Sequence, residues 1–336
     1  MKLDAITYGG PLAAVPDDIR AAEGRGYDAW LVSEVAHDPL LACAVAAEHA
    51  RDIAVGTAIA VAFPRSPMHV AYQAHDLQAL SGGRFVLGLG SQVQAHIEKR
   101  FSATWRAPAA RMREYVLALR AIWHAWESGE RLRFEGDHYR HTLMTPFFTP
   151  EDHGYGPPPV WLAAVGPRMT HVTGEVADGL LCHVFTTDRY LRETTLPAIE
   201  AGAAAAGRTR ADVEIALPVM VVTGRDDAER DAVATYARGQ LAFYGSTPAY
   251  RGVLEAHGWS GLHDELHAAS LRGEWEDISA MIDDEVLEAF AVVTEPDRVG
   301  AAIRERFGDL VDRVSLTTAY TFPEEDWQRL VTDLRG

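Results

Sequence analysis

Cysteine is scarce: the 336 residues hold only Cys43 and Cys182, with no CxxC pair. That spacing suggests neither a zinc ribbon nor a disulfide framework. No apolar run reaches the ~18 residues of a membrane span, and MKLDAITYGG has neither an apolar h-region nor a cleavage site. A cytoplasmic protein with reduced thiols and no membrane partner is expected. Basic runs are missing too, with 31 basic against 48 acidic residues and a net charge of −17. That sign argues against nucleic acid as a partner. No repeat with a period of about 20–50 residues is visible, which argues against a solenoid.

What is present is a globular composition, 48% hydrophobic and 24% charged. The length allows one barrel or two ordinary domains. Short apolar runs alternate with helical periodicity. The expected strands are Lys2 to Thr7, Ala29 to Ser33, Ile53 to Ala60 and Phe85 to Leu89, then Val160 to Ala164, Gly179 to Val184, Val213 to Thr223 and Val314 to Thr318. Asp17 or its neighbour is expected to cap the first helix, and Ser66-Pro67 to open the third. Eight strands, each followed by a helix, predict an α/β fold, a closed (β/α)8 TIM barrel. A doubly wound sheet with a helical domain is the alternative. Residues 1–336 are read as one domain. Thr247 to Phe290 carries two or three helices with no strand between them, a helical insertion between strands 7 and 8 that is expected to form a flap over the mouth.

The most informative stretch runs from Leu80 to Trp123, LSGGRFVLGLGSQVQAHIEKRFSATWRAPAARMREYVLALRAIW. Ser81-Gly82-Gly83 reads as a helix stop, and Phe85 to Leu89 as a strand buried on both faces. Gly88 and Gly90 bracket the end of that strand, where a missing side chain lets something approach the backbone. From Met112 the apolar positions recur on one helix face. GLG alone is a weak dinucleotide signal, since no third glycine follows.

The ends of barrel strands carry the site in this architecture. Here they bear Tyr8, Ser33-Glu34, Ala58-Ile59, Gly90-Ser91-Gln92, Val165-Gly166, Cys182-His183 and Thr317-Thr318. Strong nucleophiles are few and no carboxylate cluster suggests a metal. An apolar mouth of this kind suits a flat conjugated cofactor that carries its own chemistry. AAVGPRMTHVTGEVADG adds a glycine and a proline at a helix start, where free N–H groups attract an anion.

As a whole, the Leu80–Trp123 stretch, with VGTAIAVAFPRSP and AAVGPRMTHVTGEVADG, resembles the bacterial luciferase-like flavin and deazaflavin oxidoreductases, most closely the actinobacterial branch that uses coenzyme F420. The resemblance implies an F420-dependent oxidoreductase moving a hydride to or from a small organic substrate. An FMN monooxygenase fed by a separate reductase and a non-catalytic F420 binder are the alternatives. It further implies a cis peptide between Ala58 and Ile59, forming a bulge behind the cofactor ring. Cofactor contacts are implied at Gly88, Gly90, Ser91, Gln92 and His96. Others are implied at Ala164, Val165, Gly166 and Pro167, with charge from Arg168, and at Cys182 and His183. A homodimer is also implied.

For proton transfer, the resemblance points to Glu34. Deazaflavin-dependent sugar-phosphate dehydrogenases of this class carry an acid followed directly by histidine, whereas Val35 follows here. Sugar-phosphate specificity is correspondingly weakened, and His37, oriented by Asp38, is the second proton-transfer residue expected. Tyr8, Phe147, Tyr244 and Trp259 are expected to form the apolar wall for substrate. His263 and His267 share a helix face without a third ligand, so a surface pair is expected rather than a metal site.

Overall fold

The computed structural model describes residues 1–336, the side chains of residues 276 and 277 excepted. Twelve strands form in chain order: β1 (Lys2–Thr7), β2 (Ala29–Val32), β3 (Ala54–Thr57), β4 (Ala60–Val61), β5 (Phe85–Gly90), β6 (Phe134–Glu135), β7 (Arg140–His141), β8 (Val160–Ala163), β9 (Gly179–Leu181), β10 (Glu214–Val222), β11 (Ala291–Val293) and β12 (Arg313–Thr317). The hydrogen-bonded order β10-β12-β1-β2-β3-β5-β8-β9 returns to β10, so eight parallel strands close into a barrel. The (β/α)8 expectation therefore holds. The expected third strand is two pieces, with β4 resuming beyond Ala58–Ile59 and pairing with β5. β11 lies outside the ring and extends the sheet along Met220–Val222 of β10.

Helices α1 (Val15–Gly24), α2 (Pro39–His49), α3 (Pro67–Leu80), α4 (Pro108–Ser128) and α5 (Pro167–Val176) cover the first strands. Ser66 caps α3 by accepting from the Met68 N–H, with Pro67 in the first turn. Asp17 does not cap α1. Ala14 holds the cap position, Pro16 lies in the first turn, and Asp17 and Asp18 follow it as acidic first-turn residues, where they complement the helix dipole. Gly82 and Gly83 end α3 with φ of 63° and 85°, a conformation that favours glycine. Helix α6 (Asp188–Tyr190) runs through a π turn at Leu191–Thr195 into α7 (Leu196–Ala205).

Strand β5 is buried throughout, and its glycines explain how the barrel closes around it. A Cβ on Gly88 would lie 1.8 Å from the Thr57 carbonyl oxygen, and one on Gly90 would lie 2.7 Å from the Ile59 side chain. The close approach at Gly88 is therefore made by β3 itself, and the Thr57 hydroxyl donates to the Gly88 carbonyl at 2.6 Å.

After α8 (Asp227–Gly245), the segment 247–290 holds four α-helices: α9 (Arg251–Ala256), α10 (Ser260–Arg272), α11 (Trp275–Ile278) and α12 (Asp284–Phe290). Two or three were expected. They pack against α8 through a cluster that includes Leu241, Leu254, Leu266, Phe290 and Phe185. His263 is buried rather than superficial: its Nδ1 pairs with the Gly245 carbonyl at 2.7 Å, and His267 Nδ1 with the Ser246 carbonyl at 2.8 Å. The pair ties α10 to the last carbonyls of α8, which have no intrahelical partner of their own. Helices α13 (Val299–Phe307) and α14 (Glu324–Arg335) complete the ring.

Candidate active site

A cavity of about 870 Å³ opens at the carboxyl ends of the barrel strands. Among the described residues, no group of three or more His, Cys, Asp or Glu is placed to hold a metal. Ile6, Leu31, Ile59 and Leu181 give it an apolar interior, and Ser91, Gln92, Thr317 and Thr318 add polar groups.

The peptide bond between Ala58 and Ile59 is cis, at the position where the resemblance implied it. Both residues line the cavity, and the two residues that follow β2 hold them in place. Ser33 Oγ donates to the Ala58 carbonyl at 2.6 Å, and the Glu34 N–H to the Ile59 carbonyl at 3.1 Å. The Glu34 side chain completes this brace. Its Oε2 accepts from the Val61 N–H and from Arg65, each at 2.7 Å. Arg65 also reaches Asp38 at 2.8 Å and the Val61 carbonyl at 2.9 Å.

This arrangement revises the expected acid. Glu34 does not line the cavity, and its carboxylate is engaged by Arg65 and Val61. His37 is exposed and also lies outside the lining. Asp38 does not orient it; that carboxylate caps α2 and pairs with Arg65. In this structure neither residue reaches the cavity lining.

On the next strand, Gly90, Ser91 and Gln92 line the cavity, but Gly88 and His96 do not. Gly88 serves strand packing, and His96 is exposed on a π turn, His96–Arg100. Gln92 holds φ of 59°, a left-handed conformation costing on the order of 1 kcal/mol for a residue with a side chain. Its Oε1 accepts the Val93 N–H at 3.0 Å. Across the mouth, Ala164, Val165 and Gly166 are lining residues, with Gly166 at the cap position of α5. Pro167 and Arg168 are exposed just beyond the rim. Early amides of α5 have no acceptor within the helix and carry its positive dipole end.

Cys182 and His183 both line the cavity. Burial pushes the Cys182 thiol up to about 12, so it is a neutral wall rather than a nucleophile. Burial lowers His183 to about 4, leaving the imidazole neutral at pH 7. The Phe185 N–H donates to its Nδ1 at 3.1 Å, which places the proton on Nε2. Tyr250 stacks on this ring, with centroids 4.5 Å apart and planes at 21°, and Tyr244 meets it edge-on at 4.7 Å.

Of the four expected wall residues, Tyr8 and Tyr244 line the cavity. Phe147 is 87% exposed outside it, and Trp259 stacks instead on His257 at 4.5 Å. Trp105, Met169, Tyr236 and Tyr250 line the cavity without having been expected there. They reach it through tertiary packing of a loop, α5, α8 and the start of the insertion, and no local motif marks them. His138, His141 and His153, on the segment between α4 and β8, are not in the lining either, and His153 packs on His75 with ring centroids 4.2 Å apart.

Comparison with known proteins agrees with this architecture. The family model described as luciferase-like monooxygenase matches residues 3–313. An uncharacterized protein of Mycobacterium tuberculosis is 52% identical over 314 residues, 94% of this chain and 92% of that protein. The 5,10-methylenetetrahydromethanopterin reductase of Archaeoglobus fulgidus is 28% identical over 297 residues, 85% of this chain and 84% of the relative. The structure of the coenzyme F420 dependent tetrahydromethanopterin reductase from Methanopyrus kandleri superposes with a TM-score of 0.79 at 19% identity, covering 99% of this chain and 98% of that one. The chain belongs to the luciferase-like monooxygenase family.

Proposed function

We propose that this protein is an F420-dependent oxidoreductase that transfers a hydride between the deazaflavin and a small organic substrate. The observation that carries the reading is the cavity itself: about 870 Å³ of largely apolar space at the strand ends, backed by the braced Ala58–Ile59 bulge. That volume suits a cofactor and a small substrate together. The relative named F420-dependent glucose-6-phosphate dehydrogenase in Intrasporangium calvum, 27% identical over 313 residues, supports the cofactor class.

The residues present fit such a group. Ala58 and Ile59 would support one face of a flat ring, while Gly90, Ser91 and Gln92 would meet its edge. Ala164, Val165, Gly166 and the first turn of α5 would hold the anionic tail, with Arg168 adding charge outside the rim. The bound deazaflavin would supply the hydride at its C5 carbon, and the protein would supply position and electrostatics. Glu34 and Arg65 hold the bulge in place. His183, neutral and with its proton on Nε2, presents a hydrogen-bond donor on the cavity wall. Segment 247–290 would act as the flap, since Ala249 and Tyr250 at its start line the cavity. The assembly expected is a homodimer in the cytoplasm.

The test is a fluorescence-quenching titration of the purified protein with oxidised F420 and with FMN. F420 binding at least ~10-fold tighter than FMN, a difference of about 1.4 kcal/mol, supports the proposal. The reverse order makes the protein an FMN monooxygenase served by a separate reductase. Binding of neither overturns the cofactor assignment.

A further inference from the structure

One part of the cavity wall is built from tyrosine around a histidine. Tyr244 and Tyr250 touch the His183 ring, and Tyr8 and Tyr236 lie within electrostatic range of Tyr244. Free charge is what this wall lacks. Among the described residues, no lysine or arginine lines the cavity. The one carboxylate in the lining, Asp4, is closed off by Arg313, whose Nε lies 2.7 Å from Asp4 Oδ2 with the residues only 2% and 4% exposed. The cations nearest the rim in sequence, Arg106 and Arg168, are exposed and outside the lining. A substrate phosphate or carboxylate placed against this tyrosine–histidine wall, rather than at the α5 N-terminus, would lose its hydration with no cation to replace it.

Hydrogen-bonding capacity is present and directed. The Phe185 N–H occupies His183 Nδ1, and among the described residues nothing accepts from the Nε2–H. Stacking on Tyr250 and the edge of Tyr244 leave the imidazole little freedom to turn. Burial keeps it from charging, so it donates a hydrogen bond without attracting an anion.

We propose that the substrate of this site is an uncharged molecule with a flat aromatic or alicyclic body and one carbonyl or hydroxyl oxygen. The body lies against Tyr244 and Tyr250, and the oxygen accepts a hydrogen bond from His183 Nε2. The proposal rests on reading the mouth as a deazaflavin redox site and specifies what that site accepts. Phosphorylated sugars are thereby excluded as substrates, in line with Val35 standing where the sugar-phosphate pattern has histidine.

Three probes of similar shape test it by isothermal titration of the F420-loaded protein: acetophenone, ethylbenzene and phenyl phosphate. Acetophenone should bind with a Kd of about 5 mM or tighter, and phenyl phosphate at least ~100-fold more weakly. His183→Phe, which keeps an aromatic ring between the tyrosines, should weaken acetophenone about 3- to 10-fold and leave ethylbenzene unchanged. In the wild-type protein, the His183 Nε2 resonance should shift with acetophenone and not with ethylbenzene, a readout that needs no variant. Phenyl phosphate binding as tightly as acetophenone overturns the proposal, as does an equal loss for acetophenone and ethylbenzene, or no saturable acetophenone binding. F420 quenching on the same samples separates the two readings. If F420 binds and phenyl phosphate is preferred, only the substrate assignment fails. If F420 does not bind and the unloaded protein still selects acetophenone over phenyl phosphate, only the cofactor assignment fails.

Discussion

Removing Arg65 should do more damage than removing the carboxylate it serves. Glu34 is 7% and Arg65 17% exposed at the side chain, and they meet at 2.7 Å. Arg65→Met leaves a buried carboxylate with a single hydrogen bond, from the Val61 N–H. Stranding a buried charge in this way costs about 3–5 kcal/mol. Glu34→Gln keeps an acceptor for Val61 and loses a charge-assisted bond, a cost of about 1.5–3 kcal/mol. In the double variant no carboxylate is stranded, so its cost should fall short of the sum by at least about 1 kcal/mol. Urea unfolding followed by tryptophan fluorescence measures all three, and F420 quenching reports the bulge they hold. Costs that add to within about 0.5 kcal/mol, or an Arg65→Met cost below about 1 kcal/mol, would refute the brace. A Glu34→Gln protein with intact stability and F420 binding but no turnover would restore Glu34 as the proton donor.

Four further outcomes follow from the geometry. Gly88→Ala should abolish folding or lower Tm sharply, because its Cβ would lie 1.8 Å from a backbone oxygen, far beyond the usual 1–3 kcal/mol of overpacking. Gly166→Ala, which meets nothing within 4 Å, should stay within about 0.5 kcal/mol of wild type; Tm and soluble yield compare the two. Since burial holds His183 at about 4, the unfolded chain takes up its proton first as pH falls through about 6.5. Stability should therefore drop from pH 6.5 to 4 by up to about 3 kcal/mol through this group and then level off. His183→Phe should remove that part of the slope in urea titrations across the window, and an unchanged slope would contradict the burial. Phe147→Ala should leave F420 and acetophenone affinities unchanged, since Phe147 is 87% exposed outside the cavity; a loss in either titration would return it to the wall.

Much of the fold is written locally. Alternating buried strands and amphipathic helices, the Ser66-Pro67 start and the Gly82-Gly83 stop each act within a few residues. Eight such alternations leave few ways to bury both faces of a parallel sheet. The strand-end rule then locates the mouth, and the Ala58–Ile59 bulge lies within a segment recognisable by resemblance. The side chains' roles were not written there. Glu34 sits at a strand end, yet Arg65, 31 positions away, turns its carboxylate into a brace. Gly88 looked like room for a ligand, and Thr57 of the neighbouring strand fills it. Phe147, Trp259 and Tyr250 are all aromatics in irregular or inserted segments, and only the packing of α8 and the insertion decides that, of these three, Tyr250 joins Tyr244 against His183. Backbone conformation answers to neighbours in sequence, so sequence determined the barrel. Side-chain partners, burial and charge state answer to neighbours in space, so the tertiary structure alone decided which residues face the cavity.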